Sequence, residues 1–346
     1  MPTRFHRRRG RGIATKPKAV KRPPEESSCW PTRRQELLLQ AALLRGQKAV
    51  EAWNRWKSSA DIDRLDPASH RLLPLLYRNL HAHGIEDPLM DKLKGGYRHT
   101  WSRNRLLFRG LAKLLRSLRE SRIRTLALKG APLALLYYRD PGLRPMSDVD
   151  VMVPTRDALK AVRFLQALGW KPLGSFREID IPIRHGVGFK DSAGRRFDLH
   201  WHLLDECCRP GGDDDFWDGA VEIQIDGVPT LTLNAADHLL HLCAHGVRWE
   251  KIPAIRWIAD ALAIMNVSAP EIDWIRLAAQ AEKHRLILPV REGLSYLREK
   301  FDAPVPREIL QALRDLPVSN MERLEQRYKS EDQRNKMFGQ LPVLWF

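Results

Sequence analysis

The spacing of apolar positions changes twice along the chain, and the two changes divide it into three parts. Over residues 30–118, leucines recur at intervals of three and four. Leu37, Leu38, Leu39, Leu43 and Leu44 crowd one segment, Leu72, Leu73, Leu75 and Leu76 follow Ser69, and Leu107, Leu111, Leu114, Leu115 and Leu118 form a stripe. That spacing lines one side of a helix, so a helical unit is predicted here. Between 119 and 233 the pattern shortens. Residues 124–128 (RTLAL) read as a buried strand ending at Lys129-Gly130, and 131–138 as a helix that tolerates Pro132 in its first turn. Asp140-Pro141-Gly142 breaks the chain. Residues 148–153 (DVDVMV) alternate acid and apolar, which marks a strand with two unlike faces. Thr155 caps a helix that runs to Leu168 and stops at Gly169. Residues 187–190 and 196–203, joined around Ser192-Ala193-Gly194, predict a hairpin, and 228–233 predict another strand. From Asn234 to Leu313 the helical period returns, while 314–346 carry no clear pattern. The expected fold class is α+β: a mixed β-sheet with helices packed on it, flanked by N- and C-terminal helical units.

Composition narrows the setting. The chain is 43% hydrophobic, enough to bury a core, yet no apolar run reaches the roughly 18–20 residues of a membrane span. The first residues lack the apolar stretch of a secretory signal. Four cysteines without a CxxC pair argue against a disulfide scaffold or a zinc module. The expectation is a cytoplasmic protein in a reducing compartment, with no membrane partner. The net charge is +16, and nine Lys or Arg fall within residues 1–24, before the first acid, Glu25. This Arg-, Pro- and Gly-rich tail, taken as 1–29, is predicted to be disordered. It is either a solubilising extension or a nonspecific contact for nucleic-acid phosphates.

The chemistry gathers in the middle part. Asp148 and Asp150 are two apart on a strand, so their side chains leave one face. Adjacent carboxylates repel unless a cation lies between them, and Mg2+ prefers such oxygen ligands. Asp198, in 196–203 (RFDLHWHL), lies on a later strand. If the strands are neighbours, three carboxylates can hold two Mg2+ ions, or Mn2+, roughly 3.5–4 Å apart. One ion would clamp a nucleoside triphosphate, and the other would activate the attacking oxygen with Asp198 as base. Lys129 and Gly130 sit where a strand turns into a helix and would receive phosphate, Gly letting it approach the backbone. Arg144 would neutralise the leaving pyrophosphate, and Ser147 would cap or contact phosphate. Asp61/Asp63 and Asp213/Asp215 share the two-residue spacing, but neither continues as an apolar strand, and both read as solvated. His200 shares a face with Asp198 and is a candidate substrate contact or neighbour of the ligands. His238, His241 and His245 fit packing in a helix better than zinc binding. Arg256 and Asp260 make either an intrahelical pair or a surface facing the base or acceptor.

These residues carry a resemblance. The segments LKGAPLALLYY, RPMSDVDVMV and FDLHWHL resemble the polymerase-beta-like nucleotidyltransferase superfamily, and more narrowly a bacterial branch with Lys-Gly, Arg-x-x-Ser-Asp-x-Asp and Asp-x-His-Trp motifs. DRLDPASHRLLPLLYRNL and HLLHLCAHGVRWEKIPAIRWIADALAI are similar to that branch's flanking helices, so the likeness covers roughly residues 36–310. It implies that Asp148, Asp150 and Asp198 are metal ligands and that Lys129-Gly130 is the phosphate-binding turn. One departure stands out. The wider superfamily usually has Gly-Ser or Gly-Gly there, whereas Ala131-Pro132 supplies no hydroxyl and, at Pro132, no N–H. The implied activity moves a nucleoside monophosphate from an NTP, ATP among the candidates, to an acceptor. A small molecule, RNA and protein all remain open as that acceptor. The rivals are an inactive nucleotide- or partner-binding scaffold and an RNA-directed transferase.

Overall fold

A computed structural model describes residues 29–250 and 252–330. Most of the basic tail and residues 331–346 lie outside the described residues.

The first part is helical, as its spacing predicts: α1 (Arg33–Leu43), α2 (Gln47–Lys57), α3 (Pro67–His70), α4 (Leu73–Ala82) and the long α5 (Met90–Glu120). Its helix starts are chemically marked. Thr32 and Gln35 form a reciprocal capping box on α1, and Asp66 caps α3 ahead of Pro67. The middle part contains β1 (Leu126–Leu128), α6 (Gly130–Leu133), β2 (Asp150–Met152), α7 (Ala158–Ala167), β3 (Lys171–Pro172), β4 (Gly186–Lys190), β5 (Arg196–His200), α8 (Asp214–Asp218), β6 (Val221–Ile225) and β7 (Val228–Thr232). The last part holds α9 (Ala235–Gly246), α10 (Arg256–Ser268), α11 (Trp274–Lys283), α12 (Ile287–Phe301), α13 (Arg307–Asp315) and α14 (Asn320–Ser330).

The seven strands form one mixed sheet in the order β3-β4-β5-β2-β1-β7-β6. β1 pairs antiparallel with β2 and parallel with β7, and β2 pairs parallel with β5. Several features depart from the sequence expectation. The helix expected over 131–138 is a short α-turn followed by a π-helical turn, Ala134–Tyr138. The strand expected over 148–153 begins only at Asp150, and that over 196–203 ends at His200. β3, α8 and α14 form where no element was expected. β6 was not expected either, although its alternation and the Asp226-Gly227 turn mark it. Both turn residues have positive φ, 49° and 78°, as a tight two-residue hairpin connection requires.

Strand alternation sorts the side chains into two cores. Leu126, Leu128 and Met152 enter a core built with α1, α2, α4, α9, α10 and α12. Ala127, Val151, Val153, Phe197 and Leu199 point the other way, into a core with α7 and the second half of α5. Asp150 alternates with Val151, so it lies on the face that the α9 and α10 helices cover. Helices from both ends of the chain thus share one core on the acid-bearing side.

Candidate active site

β2 and β5 run side by side with Asp150 in register with Asp198. Both carboxylates therefore leave the same face of adjacent strands. Asp148 lies just before β2 and is half-buried, and its charge reaches Asp198. The opposite neighbour of Asp198, across the β4–β5 hairpin, is Gly188. A Cβ there would come within 2.9 Å of Asp198 Oδ1, so the bare position leaves that carboxylate its room. Gly186, opposite His200, is equally constrained, since a Cβ would stand 2.5 Å from the Leu199 carbonyl. The Gly186-Val187-Gly188 spacing is a signal in the sequence that the residue-by-residue reading missed.

The electrostatics separate the two aspartates. Asp150 is buried, which by itself opposes ionisation. Lys129 Nζ at 2.9 Å and His200 Nε2 at 3.2 Å outweigh that burial and hold its carboxyl well below the usual range. Asp198 has no such partner. Burial, together with the charges of Asp150 and Asp148, pushes it up to about 6. His200 is pushed down by burial, against the pull of Asp150. A neutral imidazole facing a carboxylate donates from Nε2, which leaves Nδ1 as a bare acceptor. That Nδ1 is buried and has no hydrogen-bond partner among the described residues. The ring of His185, absent from the sequence reading, stacks on His200 at 5.4 Å and bonds Asp205.

Lys129 sits in the turn between β1 and α6 with φ 51° and ψ −108°, a backbone region that a side chain rarely adopts. Such strain costs about 1–3 kcal/mol and persists where the surroundings over-determine it. At Gly130 a Cβ would meet Met146 Sδ at 2.5 Å and Arg144 Nη1 at 3.2 Å. A larger residue there would have to displace the Met146 side chain.

Arg144 is placed differently from its expected role. It does not present a free guanidinium to a pyrophosphate. It is buried, and its Nε and Nη2 make a two-pronged contact with Asp260 at 2.9 and 2.8 Å. Tyr138 Oη donates to the same carboxylate at 2.8 Å. The physical reason is that a guanidinium removed from water needs a full counter-charge, and α10 brings one. Asp260 is correspondingly spent on Arg144, and Arg256 is 4.0 Å from it while donating to the Pro145 carbonyl at 2.7 Å. Asp260 does not face outward to a base or acceptor, whereas the Arg256 side chain stays 27% exposed. Together they fasten α10 to the loop that leads into Ser147, which is exposed, and Asp148.

Asp213 also sits otherwise than its Gly- and Asp-rich surroundings predict. It is buried, not solvated, with its Oδ2 2.5 Å from His202 Nδ1 and its Oδ1 accepting the Leu203 N–H. Asp215 is tied to Gln280 and Lys283. Asp61 caps a short 3-10 turn near the surface. His238 and His241 are buried in α9. Burial pushes His238 down to about 3 and also lowers His241, so both stay neutral.

Among the described residues no three His, Cys, Asp or Glu side chains are gathered tightly enough to ligate one cation as they stand. Lys129 and His200 both hold Asp150 Oδ1. The donor set nonetheless suits a hard divalent ion: oxygen only, with mutual repulsion that raises Asp198. The four cysteines are free. No described helix is long and apolar enough to cross a membrane.

The mixed sheet thus sets two in-register acids beside a strained Lys-Gly turn. The chain belongs to the family described as uncharacterised nucleotidyltransferase, which matches residues 59–302. Among solved structures it is similar to an antigenic nucleotidyltransferase-like protein from Paracoccidioides brasiliensis. That likeness has 14% identity and a TM-score of 0.38, over 62% of this chain and 95% of the other. No curated protein matches.

Proposed function

We propose that the protein is a metal-dependent nucleotidyltransferase of the polymerase-beta-like kind, moving a nucleoside monophosphate from an NTP to an acceptor with release of pyrophosphate. The observation that carries this reading is the register of Asp150 with Asp198 on adjacent strands, facing the helices that close over the sheet. Asp148, Asp150 and Asp198 would hold Mg2+ or Mn2+, which supplies charge neutralisation at the transferring phosphoryl group.

The chain's own residues divide the remaining work. Lys129 neutralises Asp150 here, and with a divalent cation held by the aspartates its ammonium would be available to triphosphate oxygens. Asp198, ionised less readily than its neighbour, accepts the proton of the acceptor hydroxyl. The hydroxyl oxygen then bonds to the α-phosphorus as the bond to the β-phosphate oxygen breaks, and pyrophosphate leaves. His200 holds Asp150 in orientation through Nε2. Arg144 and Asp260 act from below, fixing the Gly130 turn without touching substrate.

The test is pyrophosphate release from each of the four NTPs with Mg2+ and a cell extract as the source of acceptor. Asp148→Ala and Asp150→Ala each end release while circular dichroism stays unchanged. Release that survives either change would remove these carboxylates from the centre. Nucleotide binding with no release from the parent would favour the scaffold reading.

A further inference from the structure

Over residues 29–330 the chain carries 47 Lys and Arg against 38 Asp and Glu, a net +9, and residues 92–124 alone carry +10. The positive excess of the folded body therefore sits on α5 and the four residues after it. Between 92 and 119 there are nine Lys or Arg and no acid. Arg98, Arg105, Arg109 and Arg116 fall on one side of the helix and make a stripe about 27 Å long at ~1.5 Å rise per residue. Arg98, Arg109 and Arg116 are exposed and have no acidic partner among the described residues, and Arg105 has only Asp226, at 3.9 Å. Like charges one or two helical turns apart on one face repel, and among the described residues only Arg105 has an acid near it.

We infer that the outer face of α5 is a binding surface for RNA. A row of guanidinium groups, three of the four without an acidic partner among the described residues, matches a phosphodiester backbone in charge and in geometry. Trp101, 47% exposed and one turn from Arg98 and Arg105, offers a stacking face to an unpaired base. RNA loops and ends present such bases, and duplex DNA does not. An anionic membrane fits less well, since a helix lying on lipid inserts an apolar face and that face of α5 is already buried. The helix is also joined to the site. Asn104 Nδ2 donates to the carbonyls of Pro141 and Arg144 at 2.6 and 2.8 Å, pinning the loop that runs into Asp148. The inference stands apart from nucleotidyl transfer, because it concerns binding without NTP or metal.

The test uses the full chain and fluorescence anisotropy with a labelled 20-nucleotide oligouridine. A variant with Arg98, Arg105, Arg109 and Arg116 changed to Gln is compared with one in which Arg291, Arg307, Arg314 and Arg323 are changed to Gln. The first is expected to bind at least tenfold more weakly. The slope of log affinity against log salt should flatten by about 3, from ~0.7 per phosphate contact. The second should stay within twofold of the parent. Arg116→Gln alone should flatten the slope by about 0.7, which keeps the test open if the fourfold variant folds poorly. Trp101→Ala should weaken the RNA and leave a 20-base-pair DNA duplex unaffected. Asp150→Asn should bind RNA as the parent does, which separates this inference from the reading of the acid site. Equal affinities for the two fourfold variants would overturn it. So would binding of duplex DNA, or of vesicles containing phosphatidylserine, as tight as that of the RNA.

Discussion

Two buried histidines, two residues apart at the end of β5, each meet an aspartate, and the two pairs have different surroundings. His202 and Asp213 make a closed unit: Asp213 takes the His202 ring on one oxygen and the Leu203 N–H on the other. His200 and Asp150 make an open one. Asp150 also holds Lys129, stands in register with Asp198, and leaves His200 Nδ1 unpartnered. A closed unit satisfies its own groups and stabilises the fold. An open unit gathers charge that only a further ligand can balance, and that is where chemistry belongs.

The widest separation between the pairs should come from isosteric replacement. Asp150→Asn is expected to lower NTP turnover by at least about a hundredfold, with urea unfolding little changed. Asp213→Ala should do the reverse: stability falls by about 1–3 kcal/mol, because His202 and the Leu203 N–H lose their buried acceptor, while turnover per folded molecule is kept. A loss of turnover in both variants, with stability equal, would erase the distinction.

A smaller effect concerns pH. His284, stacked on Phe216 far along the chain from the acids, is pushed down to about 4 by burial and by the charges of Arg209 and Lys283. Unfolded, an imidazole titrates near 6.5. As pH falls through 6.5 the unfolded chain takes the proton first, so stability present above 6.5 is lost down to about 4. The expected loss is on the order of 2–3 kcal/mol over that window. His284→Asn should flatten the slope of unfolding free energy against pH between 6.5 and 4. An unchanged slope would assign the acid sensitivity to other buried groups.

The comparison also shows which features a sequence exposes. Asp148 and Asp150 stand out in the sequence because acid alternating with Val and Met in an apolar run is costly unless compensated, although β2 begins only at Asp150 and leaves Asp148 ahead of it. The hairpin followed from the Ser192-Ala193-Gly194 turn, and its register, counted back from that turn, would have set Gly188 opposite Asp198 and Gly186 opposite His200. Asp213 was misread because its Gly- and Asp-rich surroundings resemble a solvated loop, while its partner lies 11 residues earlier on a strand end. Arg144 was misread for a stronger reason. Its counter-charge, Asp260, is 116 residues away, and no local pattern distinguishes a cation aimed at phosphate from one fastened to a distant helix. β6 lies at the sheet edge, and its Asp-Gly turn was the available mark.

The most direct measurement is Mn2+ binding in the presence of NTP, followed by the paramagnetic signal of the free ion. The parent chain should take up Mn2+ stoichiometrically, and Asp150→Asn and Asp198→Asn should lose that uptake alike, although the two side chains come from different strands. Undiminished uptake by Asp198→Asn would contradict a shared centre.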